Sequence, residues 1–161
     1  MVALADALAA HAPPEKPMTV DWPDAIRIDG GLIGGGQLAW PGKADESEPP
    51  DWLVFGAMIR TVAMGEDEPG LRPLSSALEA EGFDDLGSGR LVESFARHLM
   101  VATDAWQEKG FGEIAKSYLA RLASGAAGVR RELAENGDLL LRRMTVAEPE
   151  RRALTQSLAQ A

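Results

Sequence analysis

The Asp-Gly-Gly turn at residues 29–31 is the feature that most constrains how this chain can fold. It separates two apolar runs, residues 26–28 and 32–40, and glycine readily adopts the positive φ that tight hairpin turns need. The two runs are therefore predicted to pair as antiparallel strands. Residues 18–22 predict a further strand, which is either separate from residues 26–28 or continuous with them. Residues 52–59 have the apolar composition of a buried strand.

A long amphipathic helix is predicted for residues 89–109, because apolar side chains recur there at steps of three and four. Ser88 is the expected N-cap, Gly110 the expected end, and a second helix is expected over residues 111–123. The side chains predicted to face inward on the first helix are Leu91, Phe95, Leu99, Ala102 and Trp106.

Shorter helices are expected on either side of the predicted sheet. Residues 2–10 are rich in Ala and Leu, which favour helix formation. Ser75 or Ser76 can cap a short helix near residues 77–81.

The last part of the chain predicts a hairpin and a helix. Asn136-Gly137 is a hairpin turn signal between residues 129–133 and 138–144. Residues 145–148, Thr-Val-Ala-Glu, fit a capping box for a last helix that bears Leu154 and Leu158. The complete order of helix, sheet, two helices, hairpin and helix is typical of an α+β fold.

Composition excludes several classes of function. The chain has 161 residues, no Cys and two His, so disulfides, a thiolate nucleophile and a Cys- or His-rich metal site are excluded. Its net charge is -9, and residues 1–85 alone carry five basic and sixteen acidic residues, so nucleic-acid binding is not expected. No apolar run approaches the ~20 residues of a membrane span, and Asp6 interrupts the apolar start, so we expect a cytoplasmic protein.

Three features in order along the chain resemble the catalytic domain of biotin and lipoate protein ligases. The first is Asp-Trp-Pro-Asp at 21–24 with Asp-Gly-Gly-Leu-Ile-Gly-Gly at 29–35, where biotin ligases have Lys-Trp-Pro-Asn-Asp and a Gly-bearing strand. The second is Trp-Leu-Val-Phe-Gly-Ala-Met-Ile-Arg at 52–60, in place of an apolar strand that ends in Gly-x-Gly-x-Asn. The third, residues 78–122, matches the family's C-terminal helix pair in order and length.

The resemblance is to a divergent bacterial branch that carries a small, uncharacterised C-terminal domain. It implies a partial ligase-like mixed sheet packed by helices over residues 1–124. Residues 125–161 would form a small hairpin-plus-helix domain in place of the family's β-barrel.

The same resemblance implies a chemistry. These ligases join biotin or lipoate to ATP as an acyl-adenylate and then transfer the acyl group to a lysine of a carrier protein. ATP, biotin or lipoate, and a carrier protein are thus the implied ligands and partner, without a metal site. The residues at the implied substrate-binding positions are Trp22, Pro23, Gly34, Gly35, Gly56 and Arg60.

The chain departs from the family pattern at several of these positions. Asp21 replaces the motif Lys, Asp24-Ala25 replaces Asn-Asp, and Met58 and Arg60 replace Gly and Asn. The family's Arg/Gly-rich adenylate loop would precede the first helix, so the sequence also reads as N-terminally incomplete. No catalytic residue can be carried over from the family.

Several interpretations remain open from the sequence. The Trp-Pro pair also fits a packed strand end, the glycine run fits a bulge or a close strand crossing, and Arg60 fits a surface ion pair. The protein is expected to be a ligase-like pseudoenzyme with degenerate catalysis. The alternatives are an interaction or assembly subunit that forms homo- or hetero-oligomers through an exposed sheet edge, and an active ligase that uses other residues such as Arg60.

Overall fold

The described part of the chain folds into two antiparallel sheets and four helices. The computed structural model describes residues 1–45, 48–62, 74–84 and 86–158. The elements are α1 (Val2–Ala9), β1 (Met18–Asp21), β2 (Ala25–Ile28), β3 (Gly31–Ala39), β4 (Val54–Ile59), α2 (Ser88–Lys109), α3 (Phe111–Arg121), β5 (Val129–Leu133), β6 (Leu139–Arg143), β7 (Glu150–Arg152) and α4 (Leu154–Leu158).

The first sheet has the strand order β1-β2-β3-β4, with every pair antiparallel. The predicted hairpin joins β2 to β3, and Asp29 and Gly30 take positive φ angles of 48° and 82° in its turn. The register of β2 against β3 shifts between Ile26 and Arg27, beside Gly34. This shift is the bulge that the glycine run allowed.

One face of this sheet packs on α1 and the first half of α2. The buried residues of this core include Leu8, Ile26, Ile28, Ile33 and Leu78, each at most 1% exposed. A second core cluster joins the first sheet to α3 and β6, through Val20, Tyr118, Leu122 and Leu139. Residues before and after position 124 both contribute to this second core cluster. The division of the chain into two domains at residue 124 stays a prediction.

The inward face predicted for α2 is only partly buried. Leu91 is buried and Phe95 stacks on Phe55 of β4 at 5.5 Å, but Leu99 and Trp106 are exposed. The physical reason is length, because α1 covers about 12 Å of a helix that runs for about 33 Å. The predicted N-cap is also wrong, since Ser88 is already helical and Gly87 is the cap.

Strand β4 is the edge of the first sheet, and this position corrects the expectation of a buried strand. Among the described residues β4 pairs with β3 alone, and its side chains Val54 and Met58 are 56% and 84% exposed. Apolar composition predicted the strand correctly but not its burial. No helix in the described ranges is long and apolar enough to cross a membrane.

Two predicted helix starts are wrong. Residues 77–81 form hydrogen-bonded turns instead of a helix, with Glu81 N–H donating to the carbonyls of Ala77 and Leu78. The capping box at 145–148 begins no helix, because Glu150–Arg152 pairs with β6 as a third strand. Helix α4 begins later, at Leu154, where the Asp138 side chain accepts a 2.8 Å hydrogen bond from the Leu154 N–H.

Candidate functional site

A groove of about 600 Å³ lies along β3 and β4 and contains four of the six predicted site residues. Gly34 and Gly35 line it from β3, Gly56 from β4, and Arg60 follows directly after β4. The antiparallel register explains this grouping, because Gly35 lies opposite Met58 and Gln37 lies opposite Gly56. Strand pairing thus assembles the groove from residues that are distant from each other along the chain.

The glycines that line the groove differ in whether neighbouring atoms require them. A Cβ at Gly34 would overlap the Met58 carbonyl oxygen, and one at Gly35 would overlap the Asp24 carbonyl oxygen. The close approach of neighbouring backbone therefore requires glycine at both positions. This is the close strand crossing that the sequence left open as an interpretation. A Cβ at Gly56 would meet nothing within 4 Å, so Gly56 is open to the groove and no protein neighbour explains it.

Trp22 and Pro23 line a neighbouring cavity of about 310 Å³, not the groove. The Trp22 and Tyr118 rings meet edge to face at 5.9 Å, and the Tyr118 hydroxyl donates a 2.9 Å hydrogen bond to the Pro23 carbonyl. The Trp22 indole nitrogen is buried without a hydrogen-bond partner among the described residues. The cavity is lined mainly by apolar side chains from α2, α3 and the C-terminal segment, including Trp106, Phe111 and Leu154.

Two carboxylates flank this Trp-Pro pair and have different surroundings. Asp21 accepts a 2.6 Å hydrogen bond from Arg27 Nε, so its negative charge is paired. Asp24 lines both the groove and the cavity, and burial raises the pKa of its carboxyl above the ordinary value. A negative charge at Asp24 is therefore unfavourable in the folded protein.

Replacing Asp24 with Asn is expected to raise the free energy of unfolding at neutral pH. Because the folded-state pKa of Asp24 is raised, the folded protein binds more protons than the unfolded chain, and stability falls as pH rises through that pKa. The gain from Asp24→Asn should shrink as pH falls through the folded-state pKa and vanish below the unfolded-state pKa of about 3.9, where the carboxyl becomes protonated in both states. Urea unfolding at neutral and acidic pH measures this, with the exposed Asp104→Asn as the control. A gain that does not depend on pH would contradict the assignment.

Arg60 supplies positive charge at the end of the groove. Its guanidinium donates to the Ser75 hydroxyl and, over 3.2 Å, to the Ser76 carbonyl oxygen. These bonds hold an exposed side chain in place between β4 and the segment that follows residue 73. Both of these acceptors are uncharged, and among the described residues the structure gives Arg60 hydrogen bonds but no ion pair.

The groove also contains residues that were not among the six predicted site residues. Met58 lines the groove with an exposed side chain, and Gln37 and Asp24 line both the groove and the cavity. Asp24 was visible in the motif, but nothing in the sequence showed that it would be partly buried. Within the described part of the chain no three His, Asp or Glu side chains are placed to hold a metal ion.

Comparison with known proteins identifies the family of this chain. The chain belongs to the biotin/lipoate A/B protein ligase family, whose sequence model matches residues 1–120. The resemblance seen in the sequence and the α+β class are confirmed. No curated protein matches the chain in sequence.

Solved structures support this assignment. A biotin protein ligase-like protein of unknown function from Silicibacter sp. TM1040 has a TM-score of 0.73 and 31% identity, and the match covers 96% of this chain and 69% of that one. The apo biotin protein ligase from Aquifex aeolicus has a TM-score of 0.67 at 15% identity, covering 94% and 71%. The Leishmania major biotin protein ligase in complex with biotinyl-5-AMP has a TM-score of 0.52 at 16% identity, covering 92% and 67%. At such low identity the last two show a shared fold alone.

Proposed function

We propose that this chain is a ligase-family protein that has kept a groove for a carboxylic acid and lost the adenylation chemistry. The observation that carries the proposal is Asp21, which stands at the position of the family's Lys and is ion-paired with Arg27. The Lys would stabilise charge that grows on the carboxylate and α-phosphate during adenylation. Asp21 cannot supply this positive charge, and its own charge is paired with Arg27.

The described residues of the groove do not suit a nucleotide phosphate chain. Among them Arg60 is the only cation, its guanidinium already donates to Ser75 and Ser76, and the carboxyl of Asp24 lines the same groove. Met58 stands where the family has Gly. Its exposed side chain therefore prevents the close approach of a ligand to the backbone that a glycine would allow. We therefore derive no adenylation step for this protein.

A small carboxylic acid fits the same residues better. Its carboxylate would lie near Arg60, and its apolar part would lie along the strands at Gly56 and Met58. The cavity beside Trp22 and Pro23 adjoins the groove at Asp24 and offers further apolar surface. A carrier protein, if bound, would then be bound without acyl transfer.

Calorimetric titration of biotin, lipoate, octanoate and ATP tests both halves of this proposal. We expect at least one acid to bind, Arg60→Gln to weaken that binding by about tenfold, and ATP to give no heat of binding. Exposed Lys116→Gln is the matched control, because it removes a cation far from the groove along the sequence. Failure of every acid to bind would reject the groove as a site, whereas binding of ATP would reject the loss of nucleotide recognition.

The second candidate function is that of an assembly subunit, and the edge strand β4 favours it. The strand sequence Val-Phe-Gly-Ala-Met-Ile carries no charge, and Val54 and Met58 are exposed. Edge strands are usually protected by charged residues or Pro, so an uncharged edge suits pairing with another chain. Sedimentation of the protein and of Val54→Lys tests this: a homomer should dissociate in the variant, and a heteromer should co-purify at fixed stoichiometry. A stable monomer with neither behaviour would reject this function.

A further inference from the structure

One face of the C-terminal sheet carries three arginines. Antiparallel pairing places Arg131 of β5 opposite Leu141 of β6, and Leu141 opposite Glu150 of β7. Directly opposite residues project to the same side of a sheet, as do residues two apart on one strand. Arg143 is two residues from Leu141, and Arg152 is two residues from Glu150, so both arginines share this face with Arg131.

The three arginines line a cleft of about 350 Å³ between this face and strand β1 of the first sheet. Apolar side chains of both sheets, including Val20, Leu139 and Leu141, line it as well, and residues 122–126 form its remaining wall. The cleft shares no described residue with the groove and only Trp22 with the neighbouring cavity. Its volume is in the range of small-molecule sites.

Two of the arginines share one carboxylate. Glu150 lies 3.4 Å from Arg143 Nη2 and 3.1 Å from Arg152 Nη2. The side chains of Arg143 and Arg152 are 56% and 52% exposed, so both guanidinium groups can be reached from solvent. This part of the cleft therefore has one positive charge in excess.

The third arginine supplies a second positive charge. Arg131 donates through Nη1 to the carbonyl oxygens of Leu122 and Ala123, which have no net charge. Its Nε and Nη2 form the edge of the guanidinium that can hold a carboxylate with two hydrogen bonds, and they have no partner among the described residues. Asp21 also lines the cleft, but its carboxylate is already paired with Arg27.

The two positive charges lie on either side of an apolar side chain. Arg131 is on β5, and Glu150, which holds the other two arginines, is on β7, with Leu141 between them on β6. Neighbouring strands are about 4.8 Å apart, so the backbones at Arg131 and Glu150 are about 10 Å apart. A single carboxylate or phosphate group is smaller than this separation, whereas two carboxylates joined by an apolar spacer match it.

We propose that this cleft binds a small dicarboxylate. One carboxylate pairs with the free edge of Arg131, the other with Arg143 and Arg152, and the apolar spacer lies over Leu141. Guanidinium groups suit this role because their planar fork matches the geometry of a carboxylate. The proposal does not depend on whether the groove of the first sheet binds an acid.

Amide chemical-shift perturbation of the labelled full chain with octanedioate tests the proposal. The control ligand is octanoate, which has the same chain length and a single carboxylate. We expect octanedioate to shift the amides of residues 20–22, 122–131, 139–143 and 150–152. Octanoate should bind at these residues at least about tenfold more weakly, and binding of octanedioate should weaken as salt is raised.

Three variants locate the binding charges. Arg152→Gln leaves Arg143 and Glu150 as a neutral pair and should weaken binding of octanedioate by about tenfold. Glu150→Gln removes the competing carboxylate and should tighten binding by about threefold or more. Arg130→Gln is the matched control, because Arg130 projects from the opposite face of β5 and is 80% exposed, and it should bind like the parent protein.

Thermal melts show whether each variant keeps the parent fold. No binding of octanedioate, equal binding of octanoate at the cleft, or unchanged affinity in a folded Arg152→Gln would each overturn the proposal. Tighter binding of pyrophosphate than of octanedioate at the same residues would also overturn it, because the cleft would then be a phosphate site.

Discussion

Replacing Gly34 with Ala is expected to lower the free energy of unfolding by about 3 kcal/mol. The φ angle of Gly34 is 147°, in a region that L side chains rarely adopt, and a Cβ would overlap the Met58 carbonyl oxygen. Gly34 lies on β3 between Ile26 of β2 and Ile59 of β4, so relief of the overlap requires the centre of the sheet to open. Urea unfolding followed by circular dichroism measures the loss.

Gly56→Ala is the matched control for this prediction. Gly56 lies on the neighbouring strand, and a Cβ there would meet nothing within 4 Å. We expect the free energy of unfolding to change by no more than about 0.5 kcal/mol. Equal losses in the two variants would mean that the crossing of β3 and β4 is not as close as the structure places it.

Replacing Asp138 with Ala is expected to lower the free energy of unfolding by about 3 kcal/mol. Asp138 is 4% exposed and joins three parts of the C-terminal segment. Its carboxylate accepts hydrogen bonds from the Leu154 N–H at 2.8 Å, from Asn136 Nδ2 at 3.0 Å and from Arg151 Nε. The alanine variant leaves these donors without their acceptor, and chemical unfolding of both proteins measures the cost.

Exposed Glu135, in the same turn, is the control for Asp138, and Glu135→Ala should change the free energy of unfolding by no more than about 0.5 kcal/mol. A loss at Asp138 no larger than at Glu135 would show that the C-terminal segment is not held through this carboxylate.

The stability contributed by Asp138 should also disappear in acid. Burial opposes its charge, but the hydrogen bonds from Leu154, Arg151 and Asn136 prevail and hold the pKa of Asp138 below its ordinary value. A lowered folded-state pKa contributes stability that is present above the unfolded-state pKa of about 3.9 and is lost as pH falls through the folded-state pKa. Unfolding of the parent protein and of Asp138→Asn from pH 7 downward measures this. The difference between them should narrow below about pH 4, and a constant difference would contradict it.

Local sequence patterns predicted helices and turns correctly where no long-range strand pairing competed with them. The turn at Asp29 and Gly30 and the long helix α2 follow from conformational preference and from apolar periodicity, and both are properties of neighbouring residues. The capping box at 145–148 failed because pairing of Glu150–Arg152 with β6 outweighed a local helix signal. A short stretch of sequence contains no information about pairing with a strand that lies elsewhere in the chain.

Burial was less predictable than secondary structure. The apolar runs of β4 and the second half of α2 were both expected to be inside, yet Met58 and Trp106 are exposed. Which residues are buried depends on what covers them, and that is decided by the order of the strands and the length of α1. The contact of Tyr118 with Pro23, 95 positions apart, has no local signal at all.

The six residues predicted for the site stay a prediction, and the sequence did not show that four of them would line one groove. Family positions selected Gly34, Gly56 and Arg60, and strand pairing brings them to one groove. The sequence could not show that neighbouring backbone requires Gly34 while Gly56 is open, because that distinction depends on distances across the sheet. Nor could it show that Asp21 is neutralised by Arg27 while Asp24 lines the groove.

ATP-dependent formation of acyl-hydroxamates tests the central claim most directly. The protein is incubated with ATP, magnesium and hydroxylamine, together with biotin, lipoate or octanoate in turn, and an active biotin ligase serves as the positive control. The account predicts no hydroxamate above the level without enzyme, because Asp21 stands where the sequence resemblance places the Lys that supports adenylation. Hydroxamate formed by the protein and lost in Arg60→Gln would contradict it, since this chain would then be an active ligase that uses different residues.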